Sequence, residues 1–167
     1  IINNHIISEN EITEKLTHIY EKNIFFIKRN DLEKPLKLID FLEKIEVKKK
    51  YLNTIIIKVY ETKPIAILFK KNNKYLLDNS GNLIAFSENV LVDEFPNVFG
   101  KNAEKDFINF YNQLENNNFP KQRVKNYYYF QIGRWDLQLL NEQIIKFPPK
   151  KTTEAIQQSV ELLDRKD

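Results

Sequence analysis

The side chains able to act as acids, bases or nucleophiles are few in this chain and stand far apart. His5 and His18 are its only histidines and cysteine is absent, so a metal site would have to be assembled from His, Asp and Glu alone. His18 falls beside the apolar stripe of a predicted helix, the setting of a structural histidine rather than of a ligand. Ser8, Ser80, Ser87 and Ser159 fall in a helix cap, a turn, a loop and a helix, and none has the strand-turn-helix surroundings that expose a nucleophile. Gly81, Gly100 and Gly133 are too dispersed to cradle a phosphate. The acidic clusters Glu9, Glu11, Glu14 and Asp93, Glu94 are what a chain with 29% charged residues places in solvent. The expectation is a non-enzyme with no metal, no cofactor and no small-molecule substrate.

Lys48-Lys49-Lys50, Lys70-Lys71 and Tyr127-Tyr128-Tyr129-Phe130 together suggest bases stacking on rings beside a cationic groove, as in single-stranded nucleic-acid binding. Against that reading, the net charge is only +3, and acidic and basic residues alternate along the chain instead of segregating. On a strand, Tyr127 and Tyr129 share one face while Tyr128 and Phe130 share the other. Half of these rings should pack inward and half remain for display. Tyr127 and Tyr129 are taken as candidates for contact with a protein partner, since aromatic side chains and arginine anchor protein interfaces.

The elements that must position these residues read as α+β. Ser8-Glu9-Asn10-Glu11 has the spacing of a capping box, and Ile12, Leu16, Ile19 and Tyr20 follow at helical intervals, which predicts a helix over 9–22. Phe25-Phe26-Ile27 is a short apolar segment. A second helix begins at Asn30 or Asp31, with Pro35 in or near its first turn. Two β-rich stretches, 45–51 and 55–62, flank Leu52-Asn53-Thr54 as a hairpin. This α-α-β-β unit needs a third strand to bury its face, and the residues before Ser8 must supply it, so the first strand is expected to be clipped by the chain start.

From Pro64 a meander is predicted, with strands over 65–70, 75–78 and 83–86 and a turn at Asn79-Ser80-Gly81-Asn82. Phe95 to Gly100 reads as a loop and 103–116 as a helix. Strands over 123–132, 134–140 and 143–147 follow, the last two joined at Asn141-Glu142. A final helix spans 152–164. The expected domains are 1–62 and 63–167.

Several motifs in this order resemble the FtsQ/DivIB family of bacterial cell-division proteins. Tyr60-Glu61-Thr62-Lys63-Pro64-Ile65-Ala66 is similar to the family's strand ending in glutamate before Pro-x-Ala. Asp78-Asn79-Ser80-Gly81 is similar to its Asp-x-x-Gly turn, and Phe95-Pro96-Asn97-Val98-Phe99-Gly100 to its leucine-proline-x-x-x-glycine loop, with Phe95 in the leucine position. Gly133-Arg134-Trp135-Asp136-Leu137 resembles the arginine-tryptophan strand that precedes the last helix.

The resemblance implies a POTRA domain followed by a β domain with a mostly antiparallel sheet and two helices. It also implies the periplasmic part of a single-pass inner-membrane protein at the division septum, with an N-terminal membrane helix outside this sequence. The implied role is a scaffold that binds the FtsB/FtsL-type coiled coil by strand addition and charge contacts. Arg134 is the carried-over candidate for an acidic partner residue, and Trp135 is either a contact or a core residue. The abrupt start at Ile1 and the end at Asp167 point to an excised portion lacking the last strands of the β domain, which receive the partner. Two other readings stand beside it: a POTRA module of an outer-membrane assembly or secretion system, and a basic, aromatic nucleic-acid-binding protein.

Overall fold

The computed structural model describes residues 1–2, 7–50, 53–86 and 95–165. The chain forms two compact units, Ile1–Lys63 and Pro64–Asp167.

In the first unit, helix α1 spans Glu9–Lys15, opened by Ser8, whose hydroxyl accepts the Glu11 N–H at 3.1 Å. It is far shorter than the periodicity predicts, because Thr17 turns its hydroxyl onto the Glu14 carbonyl and Thr17–Ile19 tightens into a 3-10 turn. The buried stripe is unaffected, since Ile12, Leu16 and Ile19 all reach the core.

Helix α2 spans Arg29–Leu36 and starts earlier than expected, capped at Lys28, whose N–H donates to the Asp31 carboxylate at 2.8 Å. That hydrogen bond is the first cause holding the Asp31 carboxyl below its ordinary range. Pro35 therefore sits in the last turn, not the first. A proline there offers no N–H to the carbonyl four residues back, that of Asp31. His18 meets the deficit: its Nε2 lies 3.1 Å from the Asp31 carbonyl oxygen, so the ring donates to it. The structural role expected of His18 is thereby specific.

Strands β1 (Leu42–Lys50) and β2 (Thr54–Glu61) pair antiparallel. Ile2 bridges Lys58 in parallel, with its N–H on the Ile57 carbonyl and its carbonyl taking the Val59 N–H, both at 3.1 Å. Among the described residues before Ser8, the expected third strand is present only as this single bridge beside a two-stranded sheet. His5 and Ile6, expected in the same strand, lie outside the described residues. Ile12, Leu16, Leu32, Leu36, Ile57 and Val59 close the core between helices and sheet.

The second unit is built on a sheet whose described strands are ordered β5-β4-β3-β6-β7-β8-β9. Strands β3 (Pro64–Lys70), β4 (Asn73–Asp78) and β5 (Leu83–Ala85) form one meander; β7 (Val124–Phe130), β8 (Arg134–Leu139) and β9 (Ile144–Phe147) form another. Between them lies β6 (Asn97–Phe99), parallel to both β3 and β7. Those residues read as a loop in the sequence. Pro96 and Gly100 bracket them as turn residues would, and three residues are too few to show a periodicity. Helices α3 (Phe107–Asn116) and α4 (Thr152–Asp164) supply Phe107, Phe110, Leu114 and Ile156 to the core under the sheet.

Two of the resembling motifs have structural causes here. The Asp78 carboxylate accepts the Ser80 and Asn82 N–H groups at 2.9 and 2.7 Å and the Asn82 side-chain amide at 3.0 Å, which knots the β4–β5 turn. Gly100, at φ +129°, brings β6 against β7 so closely that a Cβ there would lie 2.3 Å from the Tyr129 carbonyl oxygen. Across β3, β6 and β7, Phe69, Phe99 and Tyr128 stack in register, with ring centres 4.8 and 5.3 Å apart.

Candidate docking surface

The alternation along β8 decides what each face of the sheet can do. Trp135, Leu137 and Leu139 point into the core, leaving Arg134, Asp136 and Gln138 on the opposite face. Register then assigns β7: Tyr127 lies opposite Leu137 and Tyr129 opposite Trp135, so both tyrosines belong to the core face.

This corrects two of the expected contact residues. Tyr127 is fully buried, 0% exposed, with its ring edge-on to Phe107 at 5.2 Å. Trp135 is 2% exposed, stacked on Phe110 at 5.1 Å, and its indole N–H donates to Asp106 at 2.9 Å. Neither can present its ring to a partner. Tyr129 packs partly buried on the Trp135 ring at 4.8 Å. The pairing of alternate rings in the sequence is right, but the displayed pair is Tyr128 and Phe130. The apolar alternation of β8 holds the signal that separates the faces.

The Tyr127 hydroxyl has no hydrogen-bond partner among the described residues. Burial, with Tyr111 adding to it, pushes that phenol well above its ordinary range, so the group is a neutral, unsatisfied donor.

Arg134 remains available. Its guanidinium lies 4.2 Å from the Phe130 ring centre and meets Asp136, with Nη2 donating to Oδ2 at 3.3 Å. Nε approaches Asp136 Oδ1 to 3.0 Å but off the hydrogen-bonding direction, so this second contact is ionic; both atoms are buried, and only the outer part of the guanidinium faces solvent. Alongside runs an amide ladder: Asn97 donates to Asn126 at 3.0 Å, and Asn126 to Gln138 at 2.7 Å.

The sheet ends at β9, which among the described residues pairs only with β8. Ile144 on β9, at 59% exposure, and Leu140 in the β8–β9 turn stand out in solvent, as does Ile132 in the β7–β8 turn at the other end of β8. Sequence reasoning missed these three, because a lone apolar residue at a hairpin end has no periodic signature. The β8–β9 turn is braced by Lys125 and Glu142 at 2.7 Å, which raises the lysine's affinity for its proton and lowers the glutamate's. Among the described residues no three His, Asp or Glu side chains gather as a metal site would require, and no helix is long and apolar enough to cross a membrane.

A helix-pair unit on a small sheet, followed by a mixed sheet carrying two helices, defines a two-unit α+β protein. Residues 1–62 match the POTRA domain, FtsQ-type, and residues 66–166 match the C-terminal domain of the cell division protein FtsQ/DivIB. The chain belongs to the FtsQ/DivIB family of cell-division proteins.

Among its curated relatives, the cell division protein FtsQ of Rickettsia felis is 32% identical over 141 residues, 80% of this chain and 49% of that protein. The FtsQ of Rickettsia typhi is 27% identical over 158 residues, 90% of this chain and 56% of that one. That of Rhizobium meliloti is 28% identical over 129 residues, 75% and 42% respectively. The chain thus spans about half the length of these relatives. The major extracytoplasmic domain of DivIB from Geobacillus stearothermophilus covers 58% of this chain at 9% identity, with 87% of that domain matched and a TM-score of 0.41. The family assignment rests on the sequence matches, and the match over 66–166 overturns the reading as a module of an outer-membrane pore.

Proposed function

We propose that the chain is the periplasmic part of a single-pass inner-membrane protein that acts at the division septum as a non-catalytic scaffold, binding other division proteins of the FtsB/FtsL coiled-coil type. What supports this reading is the match of residues 66–166 to the C-terminal domain of FtsQ/DivIB. The edge of β9, unpaired among the described residues, is the side of the sheet to which the strands that follow in the family, and a partner's strand after them, would add. An unpaired edge offers a row of backbone donors and acceptors that an incoming strand can complete. Register brings Arg134 close to it, since Trp135 pairs with Phe147 at the end of β9. A partner with acidic residues flanking its added strand would meet Arg134 there, while Tyr129 shapes the packing beneath.

The test is titration of the protein, expressed from its full reading frame, with the periplasmic segments of its own FtsB- and FtsL-type proteins. Arg134→Gln, which removes the charge without setting a second carboxylate beside Asp136, is expected to raise Kd by at least about tenfold, from the roughly 1.5–3 kcal/mol of a hydrogen bond to a charged group. Lack of binding by the wild type would overturn the scaffold reading; an unchanged Kd in Arg134→Gln would remove Arg134 from the surface.

A further inference from the structure

Two phenylalanines of the first unit occupy a position that its folding does not require. Phe25 is 74% and Phe26 77% exposed, among the most exposed of the large apolar residues, and Tyr20 beside them is exposed as well. Neither ring stacks on another aromatic among the described residues. They are nevertheless held by a well-made turn. The Phe26 N–H donates to the Asn23 carbonyl at 2.9 Å and the Phe25 N–H to the Asn23 side chain at 3.0 Å. Lys49 reaches across from β1 and donates to the Ile24 and Ile27 carbonyls at 2.8 and 2.7 Å, while buried Ile27 anchors the exit. A turn so fixed would keep its shape with polar residues at 25 and 26.

The charges around the turn complete the pattern. Lys22 and Lys28 flank it without an ion pair among the described residues, and Arg29 follows, paired to Glu33. Of the nearby acids, Asp31 is engaged with the Lys28 N–H and Glu33 with Arg29, leaving Glu21 as the acidic residue between 20 and 30. Phe25 also borders a hollow of about 580 Å³ whose lining is mixed, with Leu16, Ile19 and Ile55 beside Glu9, Thr13 and Asn53.

We infer that the Asn23–Ile27 turn inserts Phe25 and Phe26 into the interface of a bilayer rich in anionic phospholipid, with Lys22, Lys28 and Arg29 on the headgroup phosphates. Adjacent rings on a projecting turn suit a fluid, shapeless solvent, whereas a protein partner would need a matching pocket. Aromatic rings favour the headgroup boundary, and basic side chains beside them are drawn to its negative surface potential. This goes beyond the scaffold reading and does not depend on it, since docking through β9 and contact through this turn use different units.

Flotation of the 167-residue chain with vesicles of phosphatidylglycerol and phosphatidylethanolamine, against vesicles of phosphatidylcholine alone, tests it. The chain should float with the anionic vesicles, and raising the salt should weaken that association. The double change Phe25→Ser with Phe26→Ser should lower partitioning at least tenfold with the melting temperature held, because the exposed rings contribute little to the fold. Lys22→Gln with Lys28→Gln should reduce binding to anionic vesicles selectively. Absence of wild-type flotation, or equal flotation of the double serine variant, would overturn the inference and leave the rings to a protein surface.

Discussion

Replacing Gly100 by alanine should remove much of the stability of the Pro64–Asp167 unit, although it adds a single carbon. The backbone at this position has φ +129°, where an L-residue is strained by about 1–3 kcal/mol. The new Cβ would also lie 2.3 Å from the Tyr129 carbonyl oxygen and 2.9 Å from its Cβ. Those atoms belong to β7, an interior strand pinned by β8, so relief requires moving main chain, and such overpacking costs about 1–3 kcal/mol more. The sum, about 2–6 kcal/mol, is comparable with the roughly 5–15 kcal/mol that holds a whole domain together. Gly133→Ala is the control: φ is +81° and the nearest atom is Pro149 Cβ at 3.4 Å, so its cost is confined to about 1–2 kcal/mol of backbone strain. Urea titration followed by the fluorescence of Trp135, the sole tryptophan, reads this unit alone. Equal midpoints for the two variants would refute the reasoning, because they would show that β6 can move away from β7 at no cost.

Tyr127→Phe should leave the same unit as stable or stabilise it by about 1 kcal/mol, since it deletes a buried hydroxyl that finds no partner among the described residues; a lowered urea midpoint would show that the hydroxyl is satisfied after all. His18→Ala should cost the first unit no more than about 0.5–1 kcal/mol, because its hydrogen bond to the Asp31 carbonyl is exposed and water can take its place. Pro35→Ala restores an N–H that can serve this carbonyl, so the loss on changing His18 should shrink in that background, as a double-mutant cycle followed by circular dichroism would reveal.

The long, strongly patterned elements were legible in the sequence, and the short ones were not. Helix α4 was readable because Ile156, Val160 and Leu163 repeat over thirteen residues, and the β3–β4–β5 meander because β-rich runs alternate with Asn-rich turns. Helix α1 fell short of its apolar pattern because a threonine hydroxyl competes for the helical carbonyl, which periodicity does not register. Strand β6 escaped because its pairing comes wholly from strands distant in sequence. At the candidate surface, Arg134 was proposed from its residue type and motif, and the register places it on the sheet face opposite the core. Tyr127 was misjudged because a single strand's alternation gives the parity of its faces but not which face is covered, and the same gap left Trp135 open between contact and core; the covered face follows from the partner strand. Phe25 and Phe26 read as an ordinary apolar segment, since exposure is a property of the fold rather than of the residues.

The sheet's two halves are each assembled from neighbours in sequence, whereas β6 joins positions about thirty residues apart on either side, Ile67 to Asn97 and Asn97 to Asn126. Closing such separations is slow and entropically opposed, so the hairpins can form early and the joint last. Once formed, the joint makes the two halves melt as one body instead of as independent meanders. The single core that both meanders share with α3 and α4 adds to that coupling, so the sheet that ends at β9 is made continuous by a three-residue strand that never touches it.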